Sequence, residues 1–292
     1  MRHATYTITT EIGLDPAALA ASRELLARCN RHDAIELLMA LKAGDPAAEN
    51  LPLYLLVRTA GGVGGVLELV GYHEVEGTLI VAPDRRREGI GRALVAAATA
   101  QLVGRGIASW LLACDEAFAG GSAFARALGG VLAHNEHRLT LDPARVPPVR
   151  PQAGLIVRPA TAADLGDLAA ITAAAFGDLL TEVTKWIAQD ESRPDRRWFV
   201  VTLGAQPVGS LRVVQSGEGL DITAFGVVPS QQGRGYGRAL LAQTIATLLA
   251  EGERRINIEV ATDNAAALGL YRSCGFVARH TYGYYRLDTT DR

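Results

Sequence analysis

In the second half of the chain the apolar residues switch between a period of two and a period near 3.6, and the switches mark out elements. Trp198 to Leu203, Pro207 to Val214 and Leu220 to Val228 are apolar runs separated by turn residues, which predicts three strands. Leucine and alanine recur at helical spacing from Arg238 to Leu249, with Gly252 placed to end that helix. Ile256 to Val260 alternates as a strand, Asn264 to Cys274 fits a short helix stopped by Gly275, and Phe276 to Leu287 resembles a terminal hairpin. Upstream, Leu155 to Arg158 is a short strand, Thr161 to Asp164 caps a helix reaching about Phe176, and another helix runs from Leu179 to Gln189.

The first half follows the same order. Helices are predicted at Pro16 to Cys29 and Asp33 to Lys42, then strands at Tyr54 to Arg58, Val66 to Tyr72 and Val75 to Val81. Helix Gly91 to Val103, strand Ser109 to Cys114, helix Ser122 to Leu128 and a strand near Arg138 to Leu141 complete it. Each half is therefore an α+β module, a mixed, mostly antiparallel sheet flanked by helices. The run Asp142 to Pro151 holds four prolines, which exclude a helix interior and favour an extended linker. The expected domains are residues 1–142 and 155–292, joined by a linker at 143–154.

The halves also share residues. Val81-Ala82-Pro83-Asp84-Arg85-Arg86-Arg87-Glu88-Gly89-Ile90-Gly91 returns as Val227-Val228-Pro229-Ser230-Gln231-Gln232-Gly233-Arg234-Gly235-Tyr236-Gly237. Pro83 and Pro229, Gly91 and Gly237, and His134 and His280 all stand 146 residues apart. A repeat of that length is a duplicated domain, since solenoid periods are several times shorter.

Composition narrows the function. The 292 residues, 49% hydrophobic and 21% charged, suffice for two cores. A net charge of −2 lacks the basic surplus that nucleic acid or an anionic membrane would attract. Cys29, Cys114 and Cys274 are far apart and match no metal spacing, which predicts reduced thiols, no metal and a cytoplasmic protein. No leading apolar segment and no run long enough to cross a bilayer is present.

The repeated turn carries the chemistry. A strand ending at Pro229, a glycine-rich turn and a helix opening near Gly237 gather several backbone N–H groups at one point. The first amides of a helix lack partners within it, and its dipole adds positive charge there, so the turn suits phosphate or pyrophosphate. Glycines at 233, 235 and 237 let backbone approach the anion, and Arg234 and Arg238 can add charge from the rim. The Gly-x-Gly-x-Gly spacing differs from the dinucleotide fingerprint, and the Gly-Lys-Ser/Thr end of a P-loop is absent.

With these residues the chain resembles the GNAT superfamily of N-acetyltransferases, whose signature Arg/Gln-x-x-Gly-x-Gly/Ala is matched by Arg86 to Gly91 and Gln232 to Gly237. Tandem copies make the layout similar to the mycothiol synthase-like, two-module group. The resemblance implies that Gln232, Gly233, Arg234, Gly235, Tyr236, Gly237 and Arg238 hold the pyrophosphate of acetyl-coenzyme A, with its pantetheine arm beside Phe225, Val227 and Val228. The equivalent first-half set is Leu79, Val81, Arg86, Arg87, Glu88, Gly89, Ile90 and Gly91, so one or two cofactors per chain are expected.

Thr262 to Phe276 resembles the family's Asn-x-x-Ala-x-x-x-Tyr-x-x-x-Gly-Phe segment, which brings in Asn264, as a cap or cofactor contact, and Tyr271. Coenzyme A leaves as a thiolate whose conjugate thiol has a pKa of about 8.5, and a phenol with a pKa of about 10 is protonated and placed to serve as general acid. The attacking amine, with a pKa of about 10.4, needs a base. Asp221 is the candidate, at a position where mycothiol synthase-like enzymes carry a glutamate; a solvated turn carboxylate is the plainer alternative. The residues 146 positions before Tyr271, Asn264 and Asp221 are Ala125, Phe118 and Val75, so the first half keeps the turn and loses the proton-handling groups. It is expected to bind cofactor without turnover, with a scaffold second and an active site built on Asp115, Ser122, His73, Glu74 or Glu76 last.

Trp186, Trp198, Tyr282, Tyr284 and Tyr285 are candidates for an acceptor pocket, core positions being the alternative, and the repeated His134 and His280 suggest a structural role. The expected activity is acetyl transfer to a small-molecule primary amine by direct attack. The alternatives are a non-catalytic coenzyme A or acyl-CoA sensor or scaffold, and an acyltransferase with another donor or acceptor.

Overall fold

The computed structural model describes residues 6–44, 52–60, 62–71, 74–150, 152–191, 193–217 and 219–289. The elements run β1 (Thr7–Ile12), α1 (Pro16–Asp33), β2 (Leu53–Thr59), β3 (Gly62–Val70), β4 (Glu76–Val81), α2 (Ile90–Val103), β5 (Ser109–Asp115), α3 (Ala119–Ala127) and β6 (Val131–Leu141). They continue with β7 (Leu155–Pro159), α4 (Leu165–Phe176), α5 (Leu180–Glu191), β8 (Arg196–Leu203), β9 (Gln206–Ser216), β10 (Gly219–Val227), α6 (Tyr236–Ala250), β11 (Ile256–Ala261), α7 (Ala265–Ser273) and β12 (Phe276–Asp288). The class is α+β. Among the described residues no helix is long and apolar enough to cross a membrane.

Backbone contacts divide the chain into two compact units, Met1–Glu136 with His280–Arg292, and His137–Arg279. In the first, the strands lie in the order β1-β2-β3-β4-β5-β12. All of these pairs are antiparallel except β4 with β5, which run parallel over Glu76–Thr78 and Leu111–Ala113. Alternation along β2 sends Leu53, Leu55 and Val57 to the face covered by α2, and Tyr54 and Leu56 to the face covered by α1. In the second unit the order is β6-β11-β10-β9-β8-β7. There β10 and β11 pair in parallel over Leu220–Ile222 and Ile256–Ile258. Leu220, Ile222, Phe199 and Leu211 face α6, whereas Trp198 and Val200 face α4 and α5.

Three expectations are corrected. No helix spans Asp33 to Lys42; Asp33 ends α1, and Ala34 turns the chain out at φ 54°. Side chains satisfy the backbone that follows. Asn30 bonds both the N–H and the carbonyl of Leu37, the buried Glu68 carboxylate accepts from Ala40 and Leu41, and the Tyr54 hydroxyl accepts from Lys42. These bonds replace the helical ladder. Strand β1 was not anticipated at all.

Phe276 to Leu287 is one strand, not a hairpin. Gly283 does not turn the chain: it pairs with Cys114, and a Cβ there would lie 2.1 Å from Glu116 Oε1. The expected domain limits also shift, because residues 137–142 belong with the second unit and 280–292 with the first. The sheet of each unit is thus completed by a strand from the other half of the sequence, and the proline-rich stretch lies inside the second unit. Tyr72, His73 and Glu218 lie outside the described residues.

Candidate active site

In the second unit β10 and β11 part after Ile222 and Ile258, and β10 runs on to Val227 without β11 beside it. Between Thr223 and Gly226 its pairing with β9 shifts register, and Ala224 sits at φ 46°. This bulge leaves backbone groups out of the ladder, and a non-glycine residue at positive φ costs about 1 kcal/mol. In the first unit β4 pairs with β3 in unbroken register from Glu76 to Val81. The bulge had no sequence signal beyond the small residues Ala224 and Gly226.

The two turns are alike in backbone. Gly235 and Gly89 stand at φ 85° and 87° directly before α6 and α2, and neither helix start receives a side-chain cap. By contrast, α1 is capped by Asp15 and α7 by Asn264. Uncapped amides at a helix start of 14 or 15 residues suit an anion, which is the observation that fits acetyl-coenzyme A to these turns. The first signature residue closes the turn in each copy: Gln232 Nε2 donates to the Val227 carbonyl at 3.0 Å, and Arg86 Nε to the Val81 carbonyl at 3.2 Å.

The copies differ in side chains. Gly233 takes φ 74°, whereas its counterpart Arg87 holds φ 68° as a non-glycine residue. Arg234 is exposed at the rim, with its carbonyl accepting from Gln152, whereas its counterpart Glu88 is an acid paired with Arg85 at 2.9 Å. Arg86 is engaged by both oxygens of Asp33, at 2.7 and 2.6 Å, and lies over the Phe118 ring. Tyr236 and Ile90 offer only their amides, since both side chains are buried in the core. Gly237 faces Phe225 and Val227, Gly91 faces Phe124, and Arg238 is exposed. Around the first turn lies a cleft of about 590 Å³, lined by Leu79, Val81, Arg86, Cys114, Phe118 and Phe124 among others. Burial pushes the Cys114 thiol up to about 12, so it is neutral.

Tyr271 is buried, its ring 5.9 Å from Phe225 and 6.3 Å from Phe276. Burial raises its phenol to about 12, and among the described residues its hydroxyl makes no protein hydrogen bond. Its cluster includes Leu220, Ile222 and, packed against it, Val228. Asp221 alternates to the opposite face, where Oδ1 accepts from Arg138 Nη2 at 2.7 Å. Arg138 is buried and also donates from Nη1 to Glu259 at 2.8 Å. Sequence reading missed Arg138 and Glu259. Arg138 belongs to the first half of the chain, and nothing in its neighbours links it to Asp221.

The aromatic candidates separate. Trp186 and Trp198 lie together in the second unit, rings 5.7 Å apart. Tyr282, Tyr284 and Tyr285 belong to the first unit's cores. His134 stacks on Tyr284, whereas His280 lies between Glu36 and Asp115, so the repeated histidines have unlike surroundings. Glu74 pairs with Arg286, Ser122 is buried on α3, and Ala125 and Val75 are core residues. Among the described residues no group of three or more His, Cys, Asp or Glu is arranged around a metal position.

A paired module with uncapped helix-opening turns and parting parallel strands defines a class, and comparison with known proteins agrees. Residues 21–129 and 167–276 each match the acetyltransferase (GNAT) family, and the chain belongs to that family as a tandem acetyltransferase. It is similar to the mycothiol acetyltransferase of Kineococcus radiotolerans, with 32% identity over 279 residues covering 89% of this chain and 87% of that protein. The mycothiol acetyltransferase of Clavibacter michiganensis subsp. michiganensis is 31% identical over 242 residues, 78% of each chain. In fold it resembles a GCN5-related N-acetyltransferase from Sphaerobacter thermophilus (TM-score 0.78, 19% identity, 97% and 96% covered). A tandem GNAT protein from the clavulanic acid biosynthesis pathway is also close in fold (TM-score 0.77, 18% identity, 99% and 100% covered). The family uses acetyl-coenzyme A as acyl donor.

Proposed function

We propose that the second unit moves an acetyl group from acetyl-coenzyme A to the primary amine of a small molecule related to mycothiol, by direct attack. The carrying observation is that β10 passes between two kinds of surroundings. Its end meets Tyr271 through Phe225, within the core cluster that also holds Leu220 and Ile222, and its other side carries Asp221 at the point where β10 and β11 part. Amine and leaving sulfur therefore have separate approaches. Gln232 to Arg238 hold the diphosphate, chiefly through the uncapped amides, and Phe225 to Val228 border the pantetheine arm. Asn264 fixes the start of α7 by accepting from Ala267 at 3.1 Å, which orients Tyr271 two turns on.

Tyr271 donates a hydrogen bond to the sulfur as charge develops there. A phenol held near 12 is a dependable donor at neutral pH. Backbone groups freed by the bulge at Ala224 receive the carbonyl oxygen. Asp221 takes the amine proton, directly or through a water, at the oxygen Arg138 leaves open, while Glu259 adds negative charge for the incoming ammonium. The first unit holds a second acetyl-coenzyme A without turnover: its turn and cleft remain, but Ala125 stands in place of the phenol and the bulge is missing.

Supplying acetyl-coenzyme A with deacetylated mycothiol, and in parallel with simple amines, should release free thiol well above hydrolysis. Titration calorimetry with coenzyme A should give two sites. No release with any amine refutes the transferase reading, and a single site makes the first unit a scaffold.

A further inference from the structure

On the Asp221 side of the second unit, Trp198, Arg212 and Thr223 form a row of direct cross-strand partners on β8, β9 and β10. The Arg212 guanidinium lies 5.0 Å from the Trp186 ring and 5.8 Å from the Trp198 ring. Its Nε donates to Thr223 Oγ1 at 2.9 Å, and Nη1 to Asp190 Oδ2 at 2.8 Å. Asp190 is buried, and its other oxygen accepts from Arg196. Two arginines thus share one carboxylate, which leaves the cluster one positive charge in excess.

Donors are in excess too. Arg212 Nη2 has no protein partner among the described residues. Trp198 Nε1 and Arg196 Nε are buried donors without an acceptor. A buried donor left unsatisfied costs about 1–3 kcal/mol, so two in one cluster, beside an Arg212 Nη2 that is not itself buried, point to acceptor oxygens from outside the chain. A purely structural clamp for α5 would need neither the open Nη2 nor the surplus charge.

We propose that Arg212 determines acceptor specificity by binding closely set oxygens of the substrate, either vicinal hydroxyls or a carboxylate. Thr223 and Asp221 share a face two residues apart on β10, which sets that oxygen group roughly 6–7 Å from the amine. A planar guanidinium lying against two indoles and tied to Thr223 and Asp190 presents its free edge in a fixed direction, so the pair of sites measures the acceptor's length. The inference rests on the second unit being the acetyltransferase, and its test works by binding, independent of turnover.

Three amines of similar size serve as probes in calorimetry on the coenzyme A-loaded full chain: a polyhydroxylated amine, an amino carboxylate and a plain alkylamine. The wild type should bind at least one oxygen-bearing amine 10-fold or more tighter than the alkylamine, and which one it prefers identifies the group. Arg212→Lys should erase that preference while leaving alkylamine and coenzyme A affinity unchanged. Thr223→Val, which frees Nε without removing the guanidinium, should erase part of it and serves if Arg212→Lys fails to fold. Equal binding of all three amines by the wild type, or an undiminished preference in both variants, overturns the proposal. Binding with this pattern but no thiol release would leave it standing and refute the transferase reading instead.

Discussion

Tyr271→Phe separates chemistry from architecture more cleanly than any other substitution in the second unit. It removes one oxygen and keeps the ring that lies 5.9 Å from Phe225 and 6.3 Å from Phe276. The hydroxyl makes no protein hydrogen bond among the described residues, so no partner is orphaned, and stability at pH 7 should change by less than about 1 kcal/mol. Loss of one hydrogen-bond donor to a developing negative charge costs a factor of roughly 10²–10³ in kcat, or about 3–4 kcal/mol. Thiol-release kinetics should show that drop with coenzyme A affinity nearly unchanged.

The same variant carries a pH signature. The folded phenol is raised from 10 to about 12 by burial, so folding favours its protonated form. That contribution is complete below pH 10 and disappears as pH rises toward 12, a loss of about 3 kcal/mol at most. Wild type should therefore lose more stability than Tyr271→Phe between about pH 9 and 11.5 in urea titrations. An unaltered kcat removes Tyr271 from the mechanism. Identical alkaline losses in the two proteins mean the phenol is not shielded as its surroundings require.

Glu68→Ala should destabilise the first unit by about 2–4 kcal/mol in urea unfolding, because the amides of Ala40 and Leu41 lose their acceptor inside the protein. Arg87→Gly relieves a non-glycine residue at φ 68° and should raise stability by about 0.5–1 kcal/mol, visible as a higher Tm. Asp221→Asn should lower kcat at neutral pH and lose less of it at high pH, where more of the amine is already unprotonated; a flat ratio of rates across pH removes Asp221 as the base.

The strand–turn–helix units and α7 were readable because each is local. Pro229, the glycines and the helix opening at Tyr236 lie within a few residues, and Asn264 precedes Tyr271 by two helical turns. What was not readable is assembled across distance. Arg138 meets Asp221 and Glu259 only because β6, β10 and β11 lie side by side, and Asp190 reaches Arg212 from α5. Segment 34–44 has helix-compatible residues, but Asn30, Glu68 and Tyr54 offer its backbone other partners. Phe276 to Leu287 reads as a hairpin in sequence, whereas it is one strand in which Gly283 makes room for Glu116.

The crossing-over of terminal strands bears on any attempt to isolate the second unit. A fragment beginning at residue 155 would carry the glycine turn and Tyr271 yet leave β11 with a bare flank, exposing Asn257 and stripping Glu259 and Asp221 of their shared guanidinium. Its tail would end in tyrosines whose hydrophobic seats lie among residues of the discarded fragment. The two halves of the sequence are therefore not separable at that point: the second unit takes β6 from the first half, and the first unit takes β12 from the second.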